Sequence, residues 1–280
     1  MTTLFENLFS NMAPQEDEYL NEEDGLIYCS RCHTPRQTRV ETMGQVYTPP
    51  VMCKCRRDKY EQEQAERKRR EFLTEVSCRR SAGLQDKALY EYTFANDLGY
   101  NPEMEKAHAY VDNWEEMRAK SMGLLLWGDV GTGKSFFAGC IANALLDQCV
   151  PVLMTNFAKI LSTLTGMYAE DRNRYIESLN AYSLLIIDDL GVERNSEFAL
   201  EQVFHVIDSR YRSKKPMIVT TNLTLAEIKH PDDLAHARIY DRILERCVPI
   251  CISNQNIREI NAAANLAEAK SLLDTGKEPK

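Results

Sequence analysis

The 280-residue sequence predicts an α/β fold, a parallel β-sheet with helices on both faces, preceded by a small cysteine-rich module. Three observations carry this. From residue 89 onward, short apolar runs alternate with longer amphipathic stretches. One run leads directly into a glycine-rich turn ending in Lys134-Ser135. Four of the nine cysteines fall within residues 29–55.

In chain order, Leu4, Phe5, Leu8, Phe9 and Met12 sit at helical spacing, so residues 1–12 read as a short amphipathic helix. Residues 15–24 are acidic and are expected to be mobile. The cysteines follow in a module spanning 26–56, where Gly44, Pro49 and Pro50 mark turns. Residues 57–76 are dense in charge and lack Gly and Pro, which predicts a solvated helix stabilised by pairs one turn apart, within a linker of 57–88. The apolar runs 123–127, 150–154, 184–187, 217–220 and 248–252 are short and nearly continuous. Such runs suit parallel strands covered on both faces. The stretches 135–148 and 196–212 have helical length and spacing, and their alternation with the runs defines the α/β domain, 89–255. A last helical stretch and tail occupy 256–280.

Hydrophobic residues make up 44% and charged residues 27% of the chain, ordinary proportions for a globular protein. Lys+Arg 34 against Asp+Glu 42 gives 34 − 42 = −8, which disfavours broad nonspecific grip on duplex DNA. The first residues lack the basic start of a signal peptide. No apolar run reaches the roughly 20 residues that cross a bilayer. The expected location is therefore cytoplasmic, with reduced cysteines and no membrane contact.

Gly128-Asp129-Val130-Gly131-Thr132-Gly133-Lys134-Ser135 matches the phosphate-binding pattern G-x-x-x-x-G-K-[ST] between a strand and a helix. Backbone N–H groups of such a turn face negative charge. Lys134 would reach the β- and γ-phosphates of ATP, and Ser135 would hold Mg²⁺. The strand 184–187 ends in two acids. Asp188 would anchor the same Mg²⁺, and Asp189 would activate water, although a Glu is the commoner residue there. Asn222, after the run 217–220, would position that water. Its alternative is a turn residue ahead of Thr224 as a helix cap. Cys29, Cys32, Cys53 and Cys55 offer four thiolates for a closed tetrahedral zinc site, with His33 or Cys78 as substitutes. Cys140, Cys149, Cys247 and Cys251 lie in apolar contexts and read as packing residues.

Residues 128–135, 184–191, 217–223 and the segment Arg238-Ile239-Tyr240-Asp241-Arg242 together resemble the AAA+ ATPases. More narrowly they resemble the helicase loaders of the DnaC/DnaI type and the related IstB transposition helpers. The resemblance spans about residues 90–252. It implies ATP hydrolysis in an assembled ring or arc with no separate lid domain, and Arg242 as an arginine finger in a neighbour's site. An ion pair near Asp241 and Glu245 is the alternative for Arg242. It also implies a replicative hexameric helicase as partner and single-stranded DNA contacted through Ser196, Phe198 and Tyr168, although core packing is the alternative for Phe198. A cysteine module precedes the ATPase domain in some of these loaders and serves helicase binding. The second reading is an IstB-like helper of a transposase acting on duplex DNA.

Overall fold

The structure, a computed structural model, describes residues 14–42, 44–191 and 197–274. The chain divides into two compact units, Met1–Thr74 and Glu75–Lys280. The expected helix over 1–12 lies outside the described residues.

In the first unit, strand β1 (Glu18–Leu20) pairs antiparallel with β2 (Ile27–Cys29), setting Glu18 opposite Cys29. The acidic stretch expected to be mobile is thus partly ordered. Its Asp17 and Glu18 carboxylates are held by the Arg36 guanidinium, which explains the order and moves the module's start N-terminal of residue 26. Strands β3 (Val40–Thr42) and β4 (Gln45–Tyr47) form a second hairpin. Gly44 adopts the left-handed backbone, φ +75°, that this tight connection needs. Helix α1 (Lys54–Gly83) starts three residues earlier and ends seven later than 57–76. No breaker follows Val76, so the helix continues until Gly83, where a Cβ would collide with the Val152 carbonyl oxygen.

The second unit holds a five-stranded parallel sheet of β5 (Gly123–Trp127), β6 (Val152–Asn156), β7 (Leu184–Leu190), β8 (Met217–Thr221) and β9 (Cys247–Cys251). Their spatial order is β6-β7-β8-β5-β9. The crossovers run through α4 (Lys134–Asp147), α5 (Phe157–Thr165), α6 (Ala169–Ser178), α7 (Glu197–Arg212), α8 (Leu225–Lys229) and α9 (Leu234–Arg246). Before the sheet come α2 (Met104–Asp112) and α3 (Trp114–Ala119), and after it α10 (Ile257–Asp274).

Both sheet faces are covered, as continuous apolar strands require. On one face Leu124, Leu126 and Ile186 pack with Phe137, Ile141, Leu145 and Trp114. On the other, Leu125, Leu185 and Ile187 pack with Phe157, Ile160, Val203 and Ile243. Each such side chain contributes about 1.5–3 kcal/mol on burial. Arg210 is fully buried yet satisfied, its guanidinium donating to the carbonyls of Tyr182, Ser183 and Pro216. It thereby ties the beginnings of β7 and β8 together, away from their functional ends. No helix among the described residues is long and apolar enough to cross a membrane.

Candidate nucleotide site and four-sulfur centre

The turn at 128–135 joins β5 to α4, with Gly133 at the cap position of that helix, and the N–H groups of a helix start suit negative charge. Gly128 and Gly131 have φ of +140° and +82°, and a Cβ on either would collide, with the Ile252 carbonyl and the Asn256 side chain respectively. Only glycine lets the turn close this tightly. Thr132 Oγ1 donates to the Asp129 carbonyl at 2.9 Å. Lys134 is buried, at 6% exposure, rather than standing in solvent as a lysine awaiting phosphate would. Its Nζ donates to the carbonyls of Gly128 at 2.9 Å and Asp129 at 2.6 Å. Burial pulls its pKa down, while the Asp189, Asp188 and Asp129 carboxylates push the other way.

Strand β8 lies between β5 and β7, so its C-terminal end separates the phosphate turn from the acidic strand. There Asp188 Oδ1 accepts from Ser135 Oγ at 2.9 Å and from Thr220 Oγ1 at 2.6 Å. Burial raises the Asp188 pKa, and these two hydroxyls oppose that rise. Thr220 Oγ1 also accepts from the Asp189 N–H at 2.9 Å. Asp189 itself has a left-handed backbone, φ +59°, at a shift in the β7–β8 register between Ile187 and Leu190. A non-glycine residue held so at a strand end is a signature of function. The kink breaks the strand's alternation and leaves Asp189 exposed at the rim, next to half-buried Asp188.

A cavity of about 370 Å³ opens here, with Lys134, Ser135, Asp189 and Asn222 in its lining. That size suits a nucleotide-scale ligand. The hydroxyl–carboxylate pair of Ser135 and Asp188 fits a hard divalent cation, which takes oxygen ligands. Four contributors escape the sequence reading. Thr220, buried between the acids, looks like any β-branched strand residue. Tyr92 and Asn101, from the segment ahead of α2, and Arg258 of α10 complete the lining. Their positions depend on long-range packing, such as Ile257 N–H donating to the Gly131 carbonyl at 2.9 Å. Replacing Thr220 with Val should remove one partner from each Asp. At about 1–3 kcal/mol for a lost buried partner, Mg²⁺-dependent ATP binding should weaken roughly tenfold or more. A magnesium titration of ATP binding checks this, and an unchanged titration would rule out the positioning role.

Arg242 does not line the cavity. Its Nε donates to Asp208 Oδ1 at 2.8 Å, its NH1 donates to the Arg238 carbonyl, and its guanidinium lies 4.8 Å from the Phe204 ring centre. The ion pair is thus made across helices to α7, not to Asp241 or Glu245. Ser196 lies outside the described residues. Phe198 is 36% exposed rather than buried in the core, and the Arg172 guanidinium stands 5.4 Å over its ring. Tyr168 is 85% exposed at the start of α6.

In the first unit the Sγ atoms of Cys29, Cys32, Cys53 and Cys55 all lie within 4.8 Å of one another. Cys29–Cys55 is 3.7 Å and Cys53–Cys55 is 3.5 Å. Zinc–sulfur bonds of about 2.3 Å in a tetrahedron put sulfurs about 3.8 Å apart, so the set fits zinc. The Cys55 backbone N–H and the Thr34 hydroxyl draw the Cys32 thiol down to about 5, whereas the neighbouring sulfurs push Cys55 up to about 12. Four thiolates so close call for a cation. His33 is engaged with the Tyr19 hydroxyl at 3.3 Å, and Cys78 is exposed on α1 outside the set. Elemental analysis should find one zinc per chain, absent from the Cys29→Ser/Cys32→Ser variant. Metal persisting in that variant would show the ligand set to be wrong.

A phosphate turn, an acidic strand tip and a polar strand inserted between them, on a five-stranded parallel sheet, define an AAA+ ATP-binding protein. The chain belongs to the IstB-like ATP binding protein family, which it matches over residues 58–264. It is 29% identical over 143 residues to the replicative helicase loader DnaC of Escherichia coli (strain K12), covering 50% of this chain and 56% of that protein. It is 26% identical over 153 residues to the replicative helicase loader DnaI of Bacillus subtilis (strain 168), covering 50% and 48%. The phage-like element PBSX protein XkdC of the same organism is 28% identical over 139 residues, covering 47% and 52%. The chain thus spans about half the length of the curated relatives it matches. Among solved structures, DnaI aligns at TM-score 0.51 and 23% identity, covering 61% of this chain and 93% of its own. The DnaC helicase loader aligns at 0.50 and 20%, covering 60% and 100%. At those identities the two structures speak for the fold alone.

Proposed function

We propose that this protein is an ATPase that binds a replicative helicase and delivers it onto single-stranded DNA, with nucleotide state controlling assembly and release. The observation that carries the reading is the joining, in one chain, of a magnesium–nucleotide site to a four-sulfur module. Lys134 and the α4 N-terminus bind the phosphates. Ser135 and Asp188 hold the metal, with Thr220 keeping Asp188 in place. Magnesium, when bound, would neutralise charge on the phosphate oxygens. Asp189 accepts the proton of the attacking water, and Asn222 orients that water. Arg242 completes a neighbour's site. Asp208 also holds Arg212 at 2.9 Å, so Arg242 can leave without stranding a buried carboxylate. Exposed Tyr168, and Phe198 with the Arg172 guanidinium over its ring, offer stacking surfaces for unpaired bases.

The family's IstB-like description favours a second reading, a transposase helper on duplex DNA. ATP hydrolysis measured without DNA, with circular single-stranded DNA and with duplex separates the two. Stimulation by single strands supports the loader. Stimulation confined to duplex would overturn it.

A further inference from the structure

Arg36 is the most connected charged side chain of the first unit, and the nucleotide chemistry does not use it. It is 7% exposed and sits between two things that have no sequence proximity. On one side its NH2 lies 3.6 Å from Cys29 Sγ, within the four-sulfur set. On the other its NH2 reaches Asp17 Oδ2 at 2.5 Å and its NH1 reaches Glu18 Oε1 at 2.6 Å. The backbone reinforces the same junction. Ser30 N–H donates to the Asp17 carbonyl at 3.0 Å, Arg36 N–H donates to the Ile27 carbonyl at 2.7 Å, and Glu18 stands opposite Cys29 across the β1–β2 pair.

The charges explain why an arginine occupies this place. Four thiolates around one zinc carry 2 − 4 = −2 in net charge. A guanidinium against one sulfur offsets part of that charge, and its planar fork still has donors for two carboxylates. A lysine would supply the charge but not the simultaneous contacts. Strand β1 is three residues long and mostly exposed, with no apolar core of its own to hold it. Beyond its backbone pairing with β2 and the Tyr19–His33 contact, its side-chain anchorage comes from Asp17 and Glu18, and through them from Arg36.

We propose that Arg36 is a positioning residue of the four-sulfur centre that couples metal occupancy to the anchoring of strand β1. The inference rests on the zinc reading above. When the metal gathers the sulfurs, Cys29 is fixed on the Arg36 side and the guanidinium is held with it. The fork then fixes Asp17 and Glu18, and the chain enters the module along a set path. When the metal is removed, Cys29 is released, the guanidinium loses its anchor, and β1 detaches while the hairpin β3–β4 is unaffected. Zinc thus serves more than the local fold. It governs the attachment of the N-terminal segment that leads into β1.

The test combines chelator competition for zinc with amide hydrogen exchange over residues 17–30 in the full chain. In the wild type, stripping zinc should speed exchange across 17–30. Arg36→Gln should surrender zinc about 10- to 100-fold more readily, the usual effect of losing a residue that supports metal ligands. Its exchange over 17–20 should be fast with or without metal. A second variant, Asp17→Asn/Glu18→Gln, keeps every sulfur and Arg36. Because such coupling is reciprocal, it should still bind one zinc but release it more readily than the wild type, and it should show fast exchange over 17–20 in both states; it carries the test if Arg36→Gln fails to fold. Wild-type exchange insensitive to zinc, or a double variant whose β1 remains protected by metal, would overturn the coupling. Wild-type protein that takes up no stoichiometric zinc would instead remove the zinc reading itself.

Discussion

Replacing Lys134 with Ala should lower ATP affinity about ten- to hundredfold and lower turnover further. A hydrogen bond to a charged partner is worth about 1.5–3 kcal/mol, and each 1.4 kcal/mol is tenfold in affinity. Turnover should fall more because charge on the transferring phosphoryl group is spread over its oxygens, which the ammonium would face once ATP is bound. The buried position of Lys134 adds a second consequence. Its Nζ donates to the Gly128 and Asp129 carbonyls, so the alanine variant loses two bonds that brace the turn. Thermal unfolding should therefore shift slightly downward while circular dichroism remains that of the wild type. Unchanged ATP affinity and turnover would refute the phosphate-site assignment.

Replacing Arg242 with Ala should leave ATP affinity near normal and depress hydrolysis by about 10³–10⁵, the range for removal of an arginine finger. Breaking its pair with Asp208 costs little, since a partly exposed pair contributes about 0–1 kcal/mol and the Arg242 side chain is 24% exposed. Asp208 retains Arg212. A purely structural role predicts the opposite pattern, a small loss of stability with normal turnover. Mixing Arg242→Ala chains with Lys134→Ala chains sharpens the test, because some interfaces then join an intact phosphate turn to an intact arginine. Recovery of activity above either variant alone establishes action in trans. No recovery despite demonstrated co-assembly contradicts it. The same mixture made with Arg238→Ala tells whether the exposed arginine one turn earlier shares the role.

The parallel sheet was legible because four of its five strands are buried on both faces and so read as unbroken apolar runs, the edge strand β9 being the exception. The phosphate turn was legible because glycine alone permits its backbone. The cysteines were legible because pairs so spaced can converge on one ion. What the sequence concealed depends on contacts far apart in the chain. Thr220 gains its role only because β8 is inserted between β5 and β7, which places its hydroxyl against Asp188, 32 positions away. Asp189 is legible as the second acid at a strand end, but the backbone kink that exposes it is not. Arg36 and its carboxylates looked like scattered charge, so the segment 15–24 read as mobile when part of it is a strand. The edges of α1 were misjudged for a plainer reason. Charge density marks a solvated helix but not its ends, and this one runs on through Val76 to Gly83, where the chain packs closely on Val152.

The central claim is that ATP-dependent chemistry in this chain serves the placement of a helicase. The direct measurement mixes the purified protein with the replicative hexameric helicase of the same genome, circular single-stranded DNA and ATP. Helicase remaining on the DNA is then quantified after gel filtration. Helicase should stay on the circle only when both this protein and ATP are present, with loading lost in the Lys134→Ala variant. Failure to bind the helicase, with DNA-bound helicase no more abundant than without this protein, would overturn the loading role.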